Sequence, residues 1–367
     1  MIAQLAAGTT WSSDVATGDA AREQLRELAD FIDALSTAYC TTSAWLSAAA
    51  RHLPGEPAII TVRDEGGRPA AVAALTRARR RGVWQIALLG GEFNDYGQLY
   101  HDSEESAIAL AEALAGWVTS EHRWWALDLQ QLADDDPVLG GLATVLPTAV
   151  TVPGSPIPQI DGIGTDYLVS RNRRRKANNA LNRVDADGRH WEQLAIRDRA
   201  GLDRWLPVVI DVRRTRDHAC GRRSHLDDAA ARAFYEAFVR DLCDAGALTL
   251  DLFLVDGRVA GYGMVVEEPG VHRVFDGRVA DGLEHYRGAI VCDLAAVARA
   301  SDDPTVSTFD WLRGRTDGKF GNHEVHRVHL RATSGATVDR LARWDRAART
   351  SVKEVLPEGV LRRIAAR

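Results

Sequence analysis

The sequence predicts a mixed α/β (α+β) fold built twice, as two tandem units that each pack helices against a mixed central sheet. Short β-rich apolar runs alternate along the chain with segments of helical spacing. The same order of runs, turn, loop and helix occurs in both halves, and a segment rich in Pro, Gly and Asp lies between them. With 367 residues, of which 46% are hydrophobic, the chain can bury two cores.

The second half carries the clearest pattern, between Leu248 and Lys319. Asp256-Gly257 lies between two β-rich runs and predicts a hairpin, because both turn positions need a positive φ. In chain order the predicted elements are strands over Leu248–Val255, Arg258–Val266 and Val271–Val279, a helix over Ile290–Ala300, and a strand from Phe309. The glycine-containing turn before that helix would leave free N–H groups that can bind an anion.

The first half repeats this order with little sequence identity. Its predicted elements are helices within Ala20–Arg51, strands over Ala58–Arg63, Ala70–Thr76 and Gly82–Leu89, a polar loop over Glu92–Gly97, a helix over Ser103–Ser120, and a strand over Trp124–Leu129. Asp134–Gly164 is interpreted as the linker. We therefore expect one unit over residues 1–150 and a second over residues 151–367.

Further helices are predicted in the second unit. They span Tyr167–Val184, Leu202–Arg216, Asp227–Ala245 and, near the C-terminus, Ala336–Val355. The first of these opens with the basic run Arg171–Lys176, in which Arg171, Arg174 and Arg175 fall on one face.

Composition excludes several classes of protein. The net charge of −6 argues against a dedicated DNA-binding surface, and no apolar stretch reaches the roughly 18 residues that a membrane span needs. No signal peptide is visible, and the four cysteines lack CxxC spacing. The spacing of His323, His326 and His329 puts successive rings on alternating faces, so no metal site is expected. We expect a cytoplasmic monomer that binds neither DNA nor membrane.

Several motifs together carry a resemblance to a known family. They are the basic helix that opens with Ser170-Arg171, the Val255–Ala260 hairpin, Tyr286-Arg287-Gly288 before a helix, Phe309–Gly314 leading to Lys319, and Asn94-Asp95-Tyr96 with Leu99. Across about Tyr167–Leu330 the chain resembles the acetyltransferase domain of the CelD/BcsL-like cellulose-biosynthesis proteins, a branch of the GNAT superfamily related to the Fem peptidyltransferases. The resemblance implies two GNAT-like units sharing a cleft. There an acyl group, acetyl in the first instance, would pass directly from acyl-CoA to the amine of a small-molecule acceptor.

Acyl transfer to an amine requires a neutral nucleophile, stabilisation of a tetrahedral oxyanion and a grip on a polyanionic donor. The candidate catalytic residues are Asp276, Asp95 and Lys319. The candidate acceptor-binding residues are Asn94, Tyr96, Asp310 and Arg313. The candidate donor-phosphate residues are Arg171, Arg174, Arg175, Tyr286, Arg287, Gly288 and Ala289.

A structural explanation stands beside each of these roles. The turn at Arg287-Gly288 is compatible with ordinary helix initiation, and the basic run with a solvated helix face. Asn94 could form an Asx turn, and a β-bulge at Gly277 would explain an aspartate in mid-strand. Asp310 could form a structural ion pair with Arg313.

Two other functions stay open. Only Arg287-Gly288-Ala289 remains of the GNAT pyrophosphate loop, and together with the basic run this is the reason to keep, as an alternative, a Fem-like enzyme that uses aminoacyl-tRNA as donor. A non-catalytic module that binds a ligand or a partner protein is the second alternative.

Overall fold

The computed structural model describes residues 10–121, 123–164, 169–313 and 321–343. Up to Pro153 its helices and strands are β1 (Ser12–Thr17), α1 (Gly18–Glu27), α2 (Ala29–Leu35), α3 (Ser43–His52), β2 (Glu56–Arg63), β3 (Pro69–Arg80), β4 (Val83–Leu88), β5 (Tyr100–His101), α4 (Glu104–Glu121), β6 (Trp125–Leu132), α5 (Pro137–Val145) and β7 (Val150–Pro153). The remainder are β8 (Ile157–Asp161), α6 (Arg171–Ala186), β9 (Trp191–Ile196), α7 (Arg199–Ala219), α8 (Ala229–Asp244), β10 (Leu248–Val255), β11 (Arg258–Glu268), β12 (Val271–Val279), α9 (Gly288–Asp302), β13 (Thr308–Asp310), β14 (His323–Val325) and β15 (Val328–Thr333).

The chain forms two compact units, each with its own mixed sheet, so the predicted fold class is confirmed. In the first unit the strand order is β1-β2-β3-β4-β6-β15-β7, with β5 on β3 and a parallel pair between β4 and β6. In the second unit the order is β14-β8-β13-β12-β11-β10-β9, with a parallel pair between β12 and β13.

The division into units differs from the predicted boundary. Within the described ranges, the first unit takes residues up to Ser155 and again from His326, and the second takes Pro156–Val325. The reason is the pairing of β15, which lies between β6 and β7 in the first sheet although it follows the whole second unit in sequence. The Ala336–Val355 helix of the sequence analysis is described only at residues 336–343.

The predicted linker is also more structured than expected. It contains α5, β7 and β8. Pro137 is the first residue of α5, and the Asp136 side chain accepts a hydrogen bond from the Val138 amide at 2.9 Å. Proline suits this position because the first-turn N–H would have no intrahelical partner.

In the first unit, α4 and α5 cover one face of the sheet. Their buried side chains, among them Leu110, Leu114 and Leu142, pack on Ile86, Leu127 and other apolar residues of the strands. No helix of the described residues is long and apolar enough to cross a lipid bilayer.

In the second unit, helices pack on both faces of the sheet. Phe253 and Val255 of β10 belong to the apolar cluster formed with α6 and α9. On β11, Gly261 and Gly263 face α9, whereas Tyr262 faces the opposite side, where its hydroxyl meets Asp276. The predicted hairpin is confirmed, since Asp256 and Gly257 have φ of 49° and 74°.

Candidate active site

In the second unit, β12 separates from β13 near its middle. The parallel pairing runs only from Val271 opposite Thr308 to Arg273 opposite Asp310. The antiparallel pairing of β12 with β11 continues to Val279 opposite Gly261. Residues 274–279 therefore lie beyond the β12–β13 pairing, which opens the sheet edge at the level of Asp276. A sheet that opens in this way exposes backbone groups to a ligand.

A β-bulge lies at the point of separation. Met264 pairs with Asp276 and Val265 with Val274, so Phe275 is the extra residue. The bulge was expected at Gly277 and lies two residues earlier. The Phe275 ring stacks on Tyr235 of α8, with centroids 5.6 Å apart, while Asp276 accepts a hydrogen bond from the hydroxyl of the same tyrosine. Two consecutive side chains thus face α8.

The Asp276 carboxylate is buried and surrounded by donors. Its Oδ2 accepts hydrogen bonds from Arg213 and from the Tyr235 and Tyr262 hydroxyls, each at 2.9 Å. Its Oδ1 accepts from the Gly277 amide at 2.9 Å and from Arg278 at 3.1 Å. A carboxylate offers about four lone-pair sites, so none is left for a proton of the acceptor amine.

The electrostatics agree with this geometry. Burial alone would raise the pKa of Asp276, but the Arg213 and Arg278 charges outweigh it, and the pKa lies below its ordinary value. The carboxyl is therefore ionised at neutral pH. Asp217, itself buried, lies 3.6 Å from the Arg278 Nε, so two carboxylates balance two guanidinium groups. These contacts are those of an anchor for the cluster, and the catalytic role expected of Asp276 stays a prediction.

Four partners of Asp276 were missed by the sequence analysis. Arg213, Tyr235, Tyr262 and Arg278 come from α7, α8, β11 and β12. Arg213 belongs to a run of cations that is visible in the sequence. The two tyrosines occupy positions whose spacing is that of core residues, so periodicity alone would not separate them from ordinary core side chains.

The start of α9 is held tightly against β11. Arg287, with φ of 50°, is the N-cap, and buried Gly288 begins the helix. A Cβ on Gly288 would lie 2.7 Å from the Gly261 backbone nitrogen. The Arg287 guanidinium is exposed and makes no hydrogen bond or ion pair within the described residues. This exposed cation therefore stands next to the first turn of a helix, in which the Ile290 amide already donates to the Arg287 carbonyl at 3.0 Å.

The Tyr286 side chain packs inside the second unit and is not exposed for a donor phosphate to contact. It is buried, and its hydroxyl donates to Asp187 near the end of α6 at 2.8 Å. Arg183 of α6 donates to the His285 carbonyl. The C-terminal end of α6 therefore lies beside the start of α9.

This placement divides the predicted donor-phosphate residues into two groups. Arg171, Arg174 and Arg175 are exposed at the other end of α6. At 1.5 Å per residue, Arg174 lies about 13 Å from Arg183 along the helix and Arg171 about 24 Å from Asp187. The sequence does not show this separation, because local pattern does not fix the direction in which α6 packs. The donor-phosphate role of both groups stays a prediction.

Asp310 is fully buried at the end of β13. Its Oδ2 accepts from Gln159 at 3.0 Å and from the Arg273 Nε at 3.3 Å, and its Oδ1 accepts from the Leu312 amide at 2.8 Å. These partners make it a structural anchor of the strand end. Arg313 is the last described residue before a gap, and Lys319 lies outside the described residues.

The loop Asn94–Tyr96 follows β4 in the first unit. Asp95 is half-buried and accepts a hydrogen bond from the Tyr39 hydroxyl at 2.7 Å. Asn94 is buried, and its Oδ1 has no hydrogen-bond partner within the described chain, so it does not form the Asx turn considered above. A cavity of about 210 Å³ lies beside the loop, lined in part by Gly90, Gly91 and Phe93.

Metal ligands and a nucleophilic cysteine are two further features that would bear on the chemistry of the site. Among the described residues, no three His, Cys, Asp or Glu side chains come together as metal ligands would. Cys292 is buried on α9, and burial raises the pKa of its thiol well above the ordinary value. A thiol of this kind is a poor nucleophile.

Comparison with known proteins agrees with the fold. Residues 171–320 match the family model described as the acetyltransferase (GNAT) domain. No curated protein gave a significant match. Among solved structures, FemX is similar with a TM-score of 0.55 at 10% identity, covering 84% of this chain and 95% of that one.

Two other solved structures are similar over most of the chain. A conserved protein of unknown function from Bacteroides thetaiotaomicron has a TM-score of 0.55 at 10% identity and covers 87% of this chain and 100% of its own. The C-terminal domain of a putative lysylphosphatidylglycerol synthetase from Agrobacterium fabrum has a TM-score of 0.53 at 9% identity, covering 89% and 96%. At these identities the likeness concerns the fold alone. The segment that matches the acetyltransferase (GNAT) model, residues 171–320, contains β12, β13 and the start of α9 described above.

Proposed function

We propose that the protein is an N-acyltransferase that moves an acyl group, acetyl in the first instance, from acyl-CoA to the amine of a small-molecule acceptor. The observation that carries this proposal is the separation of β12 from β13 beyond Arg273, in the strand that precedes the glycine-containing start of α9. An open sheet edge followed by a helix N-terminus gives a thioester and a diphosphate neighbouring binding surfaces.

The diphosphate of the donor would bind at Arg287-Gly288-Ala289. The helix start offers backbone N–H groups and a positive dipole end, and Arg287 adds a charge that no carboxylate of the described residues neutralises. Arg216 of α7 bonds Glu284 and thereby tethers the loop just before this turn.

The amine would attack the thioester carbonyl directly. The high pKa of the buried Cys292 thiol argues against a covalent acyl-cysteine. Asp276 would hold the bulged strand in shape, because its carboxylate is already occupied by the hydroxyl, amide and guanidinium donors around it. In the first unit, the half-buried Asp95 would hold the acceptor ammonium and take a proton from it.

The test combines transfer with binding. Purified protein is incubated with radiolabelled acetyl-CoA and a panel of amines, and acetyl-CoA binding is measured by calorimetry. We expect acetyl-CoA to bind and label to pass to at least one amine. Absence of both binding and transfer would contradict the proposal.

A second donor has one observation in its favour. The exposed arginines lie at the end of α6 opposite to the one that contacts His285 and Tyr286, and a row of exposed cations suits a longer polyanion such as aminoacyl-tRNA. RNA that co-purifies with the protein, and ribonuclease-sensitive transfer, would favour this donor. A non-catalytic binding module would show ligand binding without turnover under either donor.

A further inference from the structure

Gln131, at the end of β6, combines three unusual properties. It is 1% exposed, and its backbone has φ of 59°, a conformation that residues other than glycine rarely adopt. Neither its side-chain oxygen nor its side-chain nitrogen has a hydrogen-bond partner in the described part of the chain. An unpaired buried amide is costly, so its presence calls for an explanation.

The backbone around Gln131 is firmly held. The Gly97 amide donates to its carbonyl at 2.8 Å, and its own amide donates to the His329 Nδ1 at 3.2 Å. The side chain lies beside Gly154, where a Cβ would be only 2.3 Å from the Gln131 Oε1. The fold therefore makes room for this amide, although it offers no partner.

Arg327 lies next to the same place. Its carbonyl accepts from the Gly154 amide at 2.7 Å, and the following residue, Val328, pairs with both Leu132 and Pro153. Its guanidinium carbon lies 4.6 Å from the centre of the Tyr96 ring, and its Nε is buried without a hydrogen bond. Within the described residues the Arg327 side chain has no carboxylate partner.

The Arg327 guanidinium contacts the Tyr96 ring but no carboxylate of the described residues, and the Gln131 amide has no hydrogen-bond partner there. A ligand with an anionic acceptor group would suit both. A phosphate would call for more than one cation, whereas a carboxylate carries the single charge that balances one guanidinium. We propose that Gln131 and Arg327, with Tyr96 as the supporting ring, form a binding subsite for a carboxylate. Taking the ligand to be the acceptor rests on the function proposed above, and it identifies the acceptor as an amino-acid-like molecule. Asp95, next to Tyr96 in sequence, would then bind its ammonium group.

Binding is tested first, without reference to transfer. Ligand-observed NMR at constant ionic strength uses acetate, glycine and glycinamide as probes. We expect acetate and glycine to bind the wild-type protein, glycinamide to bind more weakly, and R327M and Q131M to weaken glycine binding by about tenfold to a hundredfold. If acetate and glycine do not bind the wild-type protein, or if both variants bind them unchanged, the subsite does not exist.

The melting temperature of Q131M shows whether the Gln131 amide stabilises the fold or is kept for a ligand. Q131M removes an unpaired buried amide, so we expect its melting temperature to rise by about 2–4 °C. The control is Q98M, because Gln98 donates to the Leu35 carbonyl at 2.6 Å and should lose stability when that bond is removed. A fall in the melting temperature of Q131M with unchanged glycine binding would overturn the proposal.

Transfer assays distinguish the two proposals. Acetyl transfer to amines that carry a carboxylate is compared with transfer to the matching carboxamides, and R327M should abolish the preference through KM. If glycine binds and R327M loses it while no amine is acetylated, the carboxylate subsite stands and the proposed acyltransfer falls. If amines are acetylated with no preference for a carboxylate, the proposed acyltransfer stands and the carboxylate subsite falls.

Discussion

Gly261 on β11 and Gly288 at the start of α9 meet backbone to backbone. A Cβ on Gly261 would lie 2.5 Å from the Ala289 nitrogen, and a Cβ on Gly288 would lie 2.7 Å from the Gly261 nitrogen. Neither residue has a positive φ, so it is the close approach that excludes a side chain. The two glycines thereby fix the height of the predicted donor-binding turn above the sheet.

Gly261→Ala and Gly288→Ala should each lower the free energy of unfolding by about 1–3 kcal/mol, because the added methyl group meets backbone atoms that cannot move aside. Urea unfolding measures the loss. Gly263→Ala is the matched control on the same strand, since its Cβ would lie 3.5 Å from the Cys292 Cβ, an ordinary contact. An equal loss at Gly263 would show that any alanine on this strand is harmful.

Asp276→Asn should cost about 3–5 kcal/mol, because it leaves Arg213 and Arg278 without their shared carboxylate in a buried site. Chemical denaturation at neutral pH gives the value. Asp203→Asn is the control: its ion pairs with Arg199 and Arg240 are exposed, and such pairs contribute little. Similar losses from both variants would mean that burial does not set the strength of the Asp276 cluster.

The same carboxylate predicts a dependence on pH. The folded-state pKa of Asp276 is lowered, since the two arginines outweigh the burial that alone would raise it. A lowered pKa gives stability that is fully present above the unfolded value of about 3.9 and is lost as the pH falls through the folded value. The stability gap between wild type and Asp276→Asn should thus stay constant from neutral pH down to about pH 4 and narrow only below it. Unfolding curves across this range test it; a gap that closes near pH 6 would contradict it.

Local pattern was enough for much of the fold. The hairpin at Asp256-Gly257 needed only turn chemistry, and α9 needed only helical spacing. The position of β15 could not be predicted in this way, because it pairs with β6 across about 200 residues of chain. Pro137 lies in a segment whose composition predicts a linker, although proline is also common at the first position of a helix.

In the candidate site, too, some residues could be predicted from the sequence and others could not. Asp276 stood out because aspartate is rare inside strands, and Arg287-Gly288 because of the helix that follows. What these residues do depends on partners from distant segments: Arg213 is 63 residues from Asp276, and Tyr235 is 41 residues away. Gln131 and Arg327 carry no local signal, since the property that matters is the absence of partners in the folded chain.

Arg287→Gln tests whether the turn before α9 binds the donor. If the Arg287 guanidinium holds a phosphate of acyl-CoA, its loss should raise the KM for acetyl-CoA by about tenfold to a hundredfold and leave the KM for the amine unchanged. Initial-rate kinetics with each substrate varied in turn separate the two constants.

The comparison for Arg287 is a triple variant, Arg171→Gln with Arg174→Gln and Arg175→Gln, at the far end of α6. Because these residues lie roughly 12–24 Å along the helix from Arg183 and Asp187, which contact the segment just before α9, the triple variant should keep the wild-type KM for acetyl-CoA. If aminoacyl-tRNA is the donor, the triple variant should be the more impaired of the two. Its affinity for RNA should fall and depend less steeply on salt concentration, since fewer phosphates are neutralised. An unchanged acetyl-CoA KM in Arg287→Gln would remove this turn from the donor site, whichever donor is used.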